Sequence, residues 1–162
     1  MSIRVVRLSY SLPPLQRWVS LTRCYLWDVL QPILVDDDEI DRLAIGVHEL
    51  LENCVKYSSG DTVRFEFEVN RQGSEAVANI RTTNSAMRAH VLDLCRRIDA
   101  INAAPDPIAH YDAVIRDSLT QAGSSLGLAR VRAESAVHLS YQIQKEVVVV
   151  FGEMSVRLRD VL

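Results

Sequence analysis

Residues 36–60 read DDDEIDRLAIGVHELLENCVKYSSG. Within them Ile40, Leu43, Ala44, Val47, Leu50, Leu51, Cys54 and Val55 fall at offsets 0, 3, 4, 7, 10, 11, 14 and 15, a stripe that a helix gathers onto one side. The acids Asp36, Asp37, Asp38 and Glu39 stand where the positive end of a helix dipole favours them, and Ser58-Ser59-Gly60 closes the run. The spacing predicts a helix over 36–58 with one face made for a core. On the opposite face Glu49, Asn53 and Lys56 lie at i, i+4 and i+7, which at about 100° per residue is a single row.

Outward from this helix the patterns alternate between two periods. Val63, Phe65, Phe67 and Val69 alternate with polar residues, and residues 75–83 repeat the habit, with a hairpin turn expected at 70–73. Upstream, 3–10 reads as a strand, Pro13-Pro14 ends it, and an amphipathic helix is predicted over 14–31, closed by Pro32. Downstream come helices over 85–103 and 107–121, a Gly/Ser loop at 123–127, and a short helix over 126–136. Strands follow at 137–143 and 146–151, with a further strand in the 152–160 tail. The order β-α-α-β-β-α-α-α-β-β, with hairpins joining consecutive strands, predicts an α+β two-layer sandwich. Its sheet is mainly antiparallel and its helices lie on one face, in a single domain spanning 1–162.

Composition excludes several classes. Apolar residues are 48% and charged residues 24%, an ordinary globular mixture, and no apolar run approaches the roughly 20 residues of a membrane span. Residues 1–7 lack the apolar core of a secretory leader. A net charge of -3 speaks against a general nucleic-acid binder. Cys24, Cys54 and Cys95 fit no metal or redox spacing and sit in apolar stretches, as free thiols in a reducing cytoplasm do.

Two places could carry chemistry. In the 49–56 row a carboxylate can act as general base, an amide oxygen suits Mg²⁺, and a lysine reaches phosphate; a solvated helix face would look the same. At 123–129, Gly-Ser-Ser-Leu-Gly-Leu-Ala leads into a helix, so its backbone N–H groups could hold an anion, or it is an ordinary turn leading into a helix. His48-Glu49 lacks the second histidine of a zinc-protease motif, and Ser118, Ser124 and Ser125 have no nucleophile elbow.

Taken in order, these two places resemble the nucleotide site of the GHKL ATPase superfamily, which includes histidine kinases, gyrase, heat-shock chaperones and anti-sigma kinases. Glu49, Asn53, Lys56 and Tyr57 match its N box, E-x-x-x-N-A-x-K-[HY], with Cys54 in the alanine place. Residues 123–131 resemble its G2 box, G-T-G-L-G-L-A-I-V, with Ser125 for a glycine and Arg130 for an apolar residue. The likeness covers about 36–151. The G1 box, D-x-G-x-G, is missing: its place reads Ile80-Arg81-Thr82-Thr83-Asn84-Ser85-Ala86-Met87, which leaves Thr83 or Asn84 for the adenine. Two helices over 85–121 replace the usual lid.

These departures resemble the small stand-alone bacterial regulators related to the SiaB protein kinase, as do Ile101-Asn102 and Leu139-Ser140-Tyr141. The resemblance implies an ATP- and Mg²⁺-dependent Ser/Thr kinase of a partner-switching pathway, acting on a small STAS-type protein. Glu49 would be catalytic and Asn53 would hold Mg²⁺. Nucleotide would be bound by Asn53, Lys56, Thr83 or Asn84, and Gly123, Ser124, Ser125, Leu126, Gly127 and Leu128. The absent G1 aspartate also fits a pseudo-kinase that regulates by binding alone. GHKL signalling kinases often dimerise, and Trp18, Tyr25 and Trp27 offer an apolar surface for a second copy or for the core.

Overall fold

A computed structural model of the chain describes residues 2–118 and 126–159. Five strands, β1 (Ser2–Leu12), β2 (Val63–Gln72), β3 (Glu75–Ser85), β4 (His138–Gln144) and β5 (Val147–Val156), form one sheet in the order β1-β2-β3-β5-β4. Every neighbouring pair is antiparallel. The helices are α1 (Arg17–Leu30), α2 (Asp37–Lys56), α3 (Arg88–Ala103), α4 (Pro107–Ser118) and α5 (Leu126–Arg130), the last running into a π-helical turn at Val131–Ser135. This is the α+β sandwich that the pattern predicts.

The strand alternation sorts the side chains. Phe65, Phe67 and Val69 of β2, Ala78 and Ile80 of β3, and Val148, Val150 and Met154 of β5 are buried toward the helices. The opposite face is charged. Arg64 and Arg81 meet Glu66 at 3.0 and 3.4 Å, Arg7 meets Glu68 at 3.3 Å, and the Arg81 guanidinium lies over the Phe151 ring. Between β2 and β4 that face sinks into a trough of about 560 Å³.

Helix α2 starts where its acids place it: Asp38 N–H donates to the side chain of Asp36, and Arg157, just past β5, pairs with Asp36 at 2.7 Å and Glu39 at 2.9 Å. It then lies close against the sheet. A Cβ at Gly152 would stand 2.8 Å from Val137 Cγ1 and 3.2 Å from Leu50 Cδ1. One at Gly46, on α2 itself, would stand 3.2 Å from Val137 Cγ2. Two glycines therefore set the approach of helix to sheet.

Several boundaries differ from the sequence reading. The 70–73 turn is tighter, because Gln72 pairs with Glu75 and only Gly73-Ser74 turn, with Gly73 at φ +64. The 152–160 tail is no separate strand. β5 runs on to Val156, since Met154 and Val156 continue its buried alternation, and only Leu158 pairs separately, with Leu34. The first helix begins at Arg17 rather than 14, and the third at Arg88, because β3 keeps its pairing as far as Ser85. The predicted 126–136 helix changes to the π-helical turn after Arg130 and ends with Ala136 in the left-handed region.

Gly152→Val should overpack the seam between α2 and the sheet. The expected cost is about 2 kcal/mol, seen as a melting temperature lowered by about 4–8 °C.

Candidate functional site

Glu49 does not lie on a solvated face. It is 8% exposed although it is opposite the apolar stripe, because α2 is covered on more than the sheet side. Trp27 of α1 donates to Asp41 along one flank, and α5 sits over the row that begins at Glu49. A Cβ at Gly127 would lie 2.3 Å from Glu49 Oε2 and 3.7 Å from Asn53 Nδ2. The two segments singled out in the sequence are thus in direct contact where both are described, between residues 74 and 78 positions apart. Gly123, Ser124 and Ser125 lie outside the described residues.

The polar groups are held by their neighbours. Asn53 Nδ2 donates to the Glu49 carbonyl at 2.8 Å, which orients the amide. Lys56 Nζ stands 5.2 Å from the centre of the Tyr57 ring, and that ring packs on His90 of α3 at 4.9 Å. Arg130 Nη1 is 3.3 Å from Glu49 Oε1, and Arg130 Nε donates to Glu134 Oε2 at 2.7 Å. The hydrogen bond to Glu134 and the two carboxylates keep the guanidinium charged. Tyr111 of α4 lies within the field of the same three charges, and its hydroxyl pKa is raised, first by burial and then by Glu134.

Beside this cluster is a cavity walled by Leu50, Asn53, Cys54, Thr82, Asn84 and Leu128, with His90 and Arg97 also lining it. Thr83 does not line it. Ile80, Thr82 and Asn84 share the helix-facing parity of β3, so Thr83 turns to the other face, where its hydroxyl is buried without a hydrogen-bond partner among the described residues. Asn84 is 7% exposed and lines the cavity; Thr82, not Thr83, stands there with it. Leu126, Gly127 and Leu128 lie together on α5.

Arg130, Glu134, Tyr111 and Thr82 were not singled out as site residues. Arg130 was visible as a charge in an apolar motif place, and Glu134 as its i+4 partner. The parity of β3 was enough to prefer Thr82.

The donor set has the chemistry of a magnesium triphosphate site: a carboxylate, an amide oxygen, an ammonium, and a glycine where a Cβ would intrude. The space does not match. The cavity measures about 30 Å³, whereas ligand pockets run about 300–1,000 Å³. The described residues alone leave less room than a nucleotide takes, and 123–125, the rest of the G2-like segment, lie outside them.

The helical insert is tied to the edge strand through the Ile101-Asn102 and Leu139-Ser140-Tyr141 signals. Asn102 Nδ2 donates to the Leu139 carbonyl at 2.9 Å, and the Tyr141 hydroxyl lies 3.1 Å from both carboxylate oxygens of Asp99. Among the described residues no helix is long and apolar enough to cross a membrane.

No protein-family model and no curated protein matches the sequence. Among solved structures, a chain of the SiaB–SiaC complex from Pseudomonas aeruginosa superposes with a TM-score of 0.67 at 17% identity, over 93% of this chain and 89% of that one. The chain thus shares the fold of that chain, an α+β sandwich as the sequence pattern predicts.

The cavity wall makes one pH dependence testable. Burial outweighs the hydrogen bonds to Thr82 and Thr83 and pushes the Cys54 thiol up to about 12 from its ordinary 9.0. The thiol stays neutral in the folded chain and ionises earlier in the unfolded one. Its contribution to stability is therefore complete below about pH 9 and is lost as pH rises toward 12. Urea midpoints across that range should fall less steeply in Cys54→Ala than in the parent chain.

Proposed function

We propose that this protein is a partner-switching regulator that works as an ATP- and Mg²⁺-dependent Ser/Thr protein kinase on a small STAS-type partner. The contact of Gly127 with Glu49 and Asn53 carries this reading, since it joins the N-box-like and G2-like segments in one site. The solved neighbour comes from a two-protein complex, SiaB with SiaC, which supports a protein partner of the SiaC type here.

Each residue has a role that its chemistry allows. Glu49 would receive the proton of the partner's hydroxyl as that oxygen becomes a nucleophile. The Asn53 carbonyl oxygen would face the metal, with its amide N–H already committed to the Glu49 carbonyl. Lys56 would add positive charge, and the 123–128 segment would hold phosphate oxygens. Asn84, with Thr82 beside it, would meet the base in place of the absent G1 aspartate. Bound Mg-ATP would supply the phosphoryl group and the metal charge that offsets it.

A second reading is favoured by a separate observation. The cavity of about 30 Å³ and the Arg130–Glu49 pair suit a GHKL-fold pseudo-kinase that holds a partner without turning nucleotide over.

Mg-ATP at a hundred times its Kd should stabilise the kinase by about 2.7 kcal/mol, raising the melting temperature by about 5–11 °C. No shift with either ATP or ADP would select the pseudo-kinase. Glu49→Gln should lower phosphate transfer to the partner by about 10²- to 10⁴-fold while its circular dichroism is unchanged. Transfer at the parent rate would remove Glu49 from the chemistry. Asn53→Ala should weaken Mg-nucleotide binding about tenfold, measured by calorimetry.

A further inference from the structure

One short helix covers both oxygens of the carboxylate. Arg130 Nη1 stands 3.3 Å from Glu49 Oε1, and Gly127, three residues earlier on α5, lies so close to Oε2 that a Cβ there would meet it at 2.3 Å. A base takes a proton only from a hydroxyl that reaches it within about 2.6–3.2 Å. While α5 is seated, Arg130 occupies Oε1, the Gly127 backbone crowds Oε2, and only a tenth of the Glu49 side chain is exposed. Leu128, on the same five-residue helix, walls the cavity that is too small for a nucleotide. The cover on Glu49 and the closure of the cavity are therefore one element.

The guanidinium has somewhere else to go. Its shorter bond, 2.7 Å, is to Glu134 on the π-helical turn that continues α5, so this pair can move with the helix. Withdrawing α5 leaves Arg130 with a carboxylate and exposes Glu49 to water, so neither charge is left buried without a partner.

We propose that Arg130 is a positioning residue that guards Glu49. With α5 seated, the guanidinium and Gly127 cap the carboxylate and keep the site shut. With α5 lifted, Arg130 stays on Glu134, Glu49 is uncovered, and the cavity opens beside Leu128. The proposal rests on the reading of Glu49 as the acceptor of the hydroxyl proton, and its test needs no nucleotide.

Carbodiimide coupling of glycine ethyl ester to the intact chain, read by peptide mass spectrometry, reports how accessible Glu49 is. Glu49 should label slowly in the parent chain and about fivefold faster in Arg130→Leu with circular dichroism unchanged. Arg130→Gln gives the same reading should the leucine variant fail to fold. Glu134→Gln leaves Glu49 as the nearest carboxylate to the guanidinium and should slow labelling; a residue that merely stabilises α5 would give faster labelling in both cases. Equal labelling of Glu49 in the parent and the folded Arg130 variants, or faster labelling in Glu134→Gln, overturns the guard. Phosphoryl transfer from Mg-ATP to the partner is scored separately: none with the parent or with Arg130→Leu overturns the kinase reading, while labelling alone decides on Arg130.

Discussion

The close seat of α2 on the sheet is the constraint from which the rest follows. Leu50 and Val137 pack over Gly152, and Val137 and Ile80 pack against Gly46, so helix and sheet meet where neither can carry a side chain. That contact fixes the rotation of α2 about its axis. Once the apolar stripe is turned to the sheet, Glu49 is carried to the side that α5 covers and Asn53 to the margin between α5 and the end of β3. The Asp36 cap and the Arg157 clasp on Asp36 and Glu39 fix the other end of the helix, so it has little freedom to roll.

A row turned away from a sheet would ordinarily meet water, where a carboxylate is inexpensive and inert. Here α5 and the following turn cover it, so Glu49 is buried against a guanidinium and a backbone. A buried carboxylate needs a cation or hydrogen bonds. Arg130 supplies the cation and at the same time occupies an oxygen that catalysis would use. The arrangement is thus stable because it is closed. The helical insert supports the closure: α3 is tied to β4 through Asn102 and Asp99, and His90 packs on Tyr57 at the end of α2.

Much of this was legible in the sequence because one period dominates each element. The offsets in 40–55 admit only a helix, and the alternation in 63–69 admits only a half-buried strand. The tail beyond 151 misled because Gly152 reads as a break in the sequence, yet it keeps both the buried parity and the pairing of β5; a glycine there serves the approach of Leu50. At the site, the type of each residue was readable and its direction less so. Thr83 and Thr82 are the same residue on opposite faces, and parity with Ile80 decides between them. The engagement of Arg130 with Glu49 was not readable, because it joins residues 81 positions apart whose meeting depends on how α5 lands on α2.

Under the proposed function, the second half of α2, the end of β3 and α5 would surround one nucleotide site. Backbone amide NMR of the isotope-labelled chain, titrated with Mg²⁺ and a non-hydrolysable ATP analogue, tests it most directly. Saturable shifts should gather at Glu49–Tyr57, at Thr82–Ser85 and at Leu126–Arg130. A spectrum that does not move, or shifts gathered on the charged outer face around Glu66, Arg81 and Phe151, would contradict it.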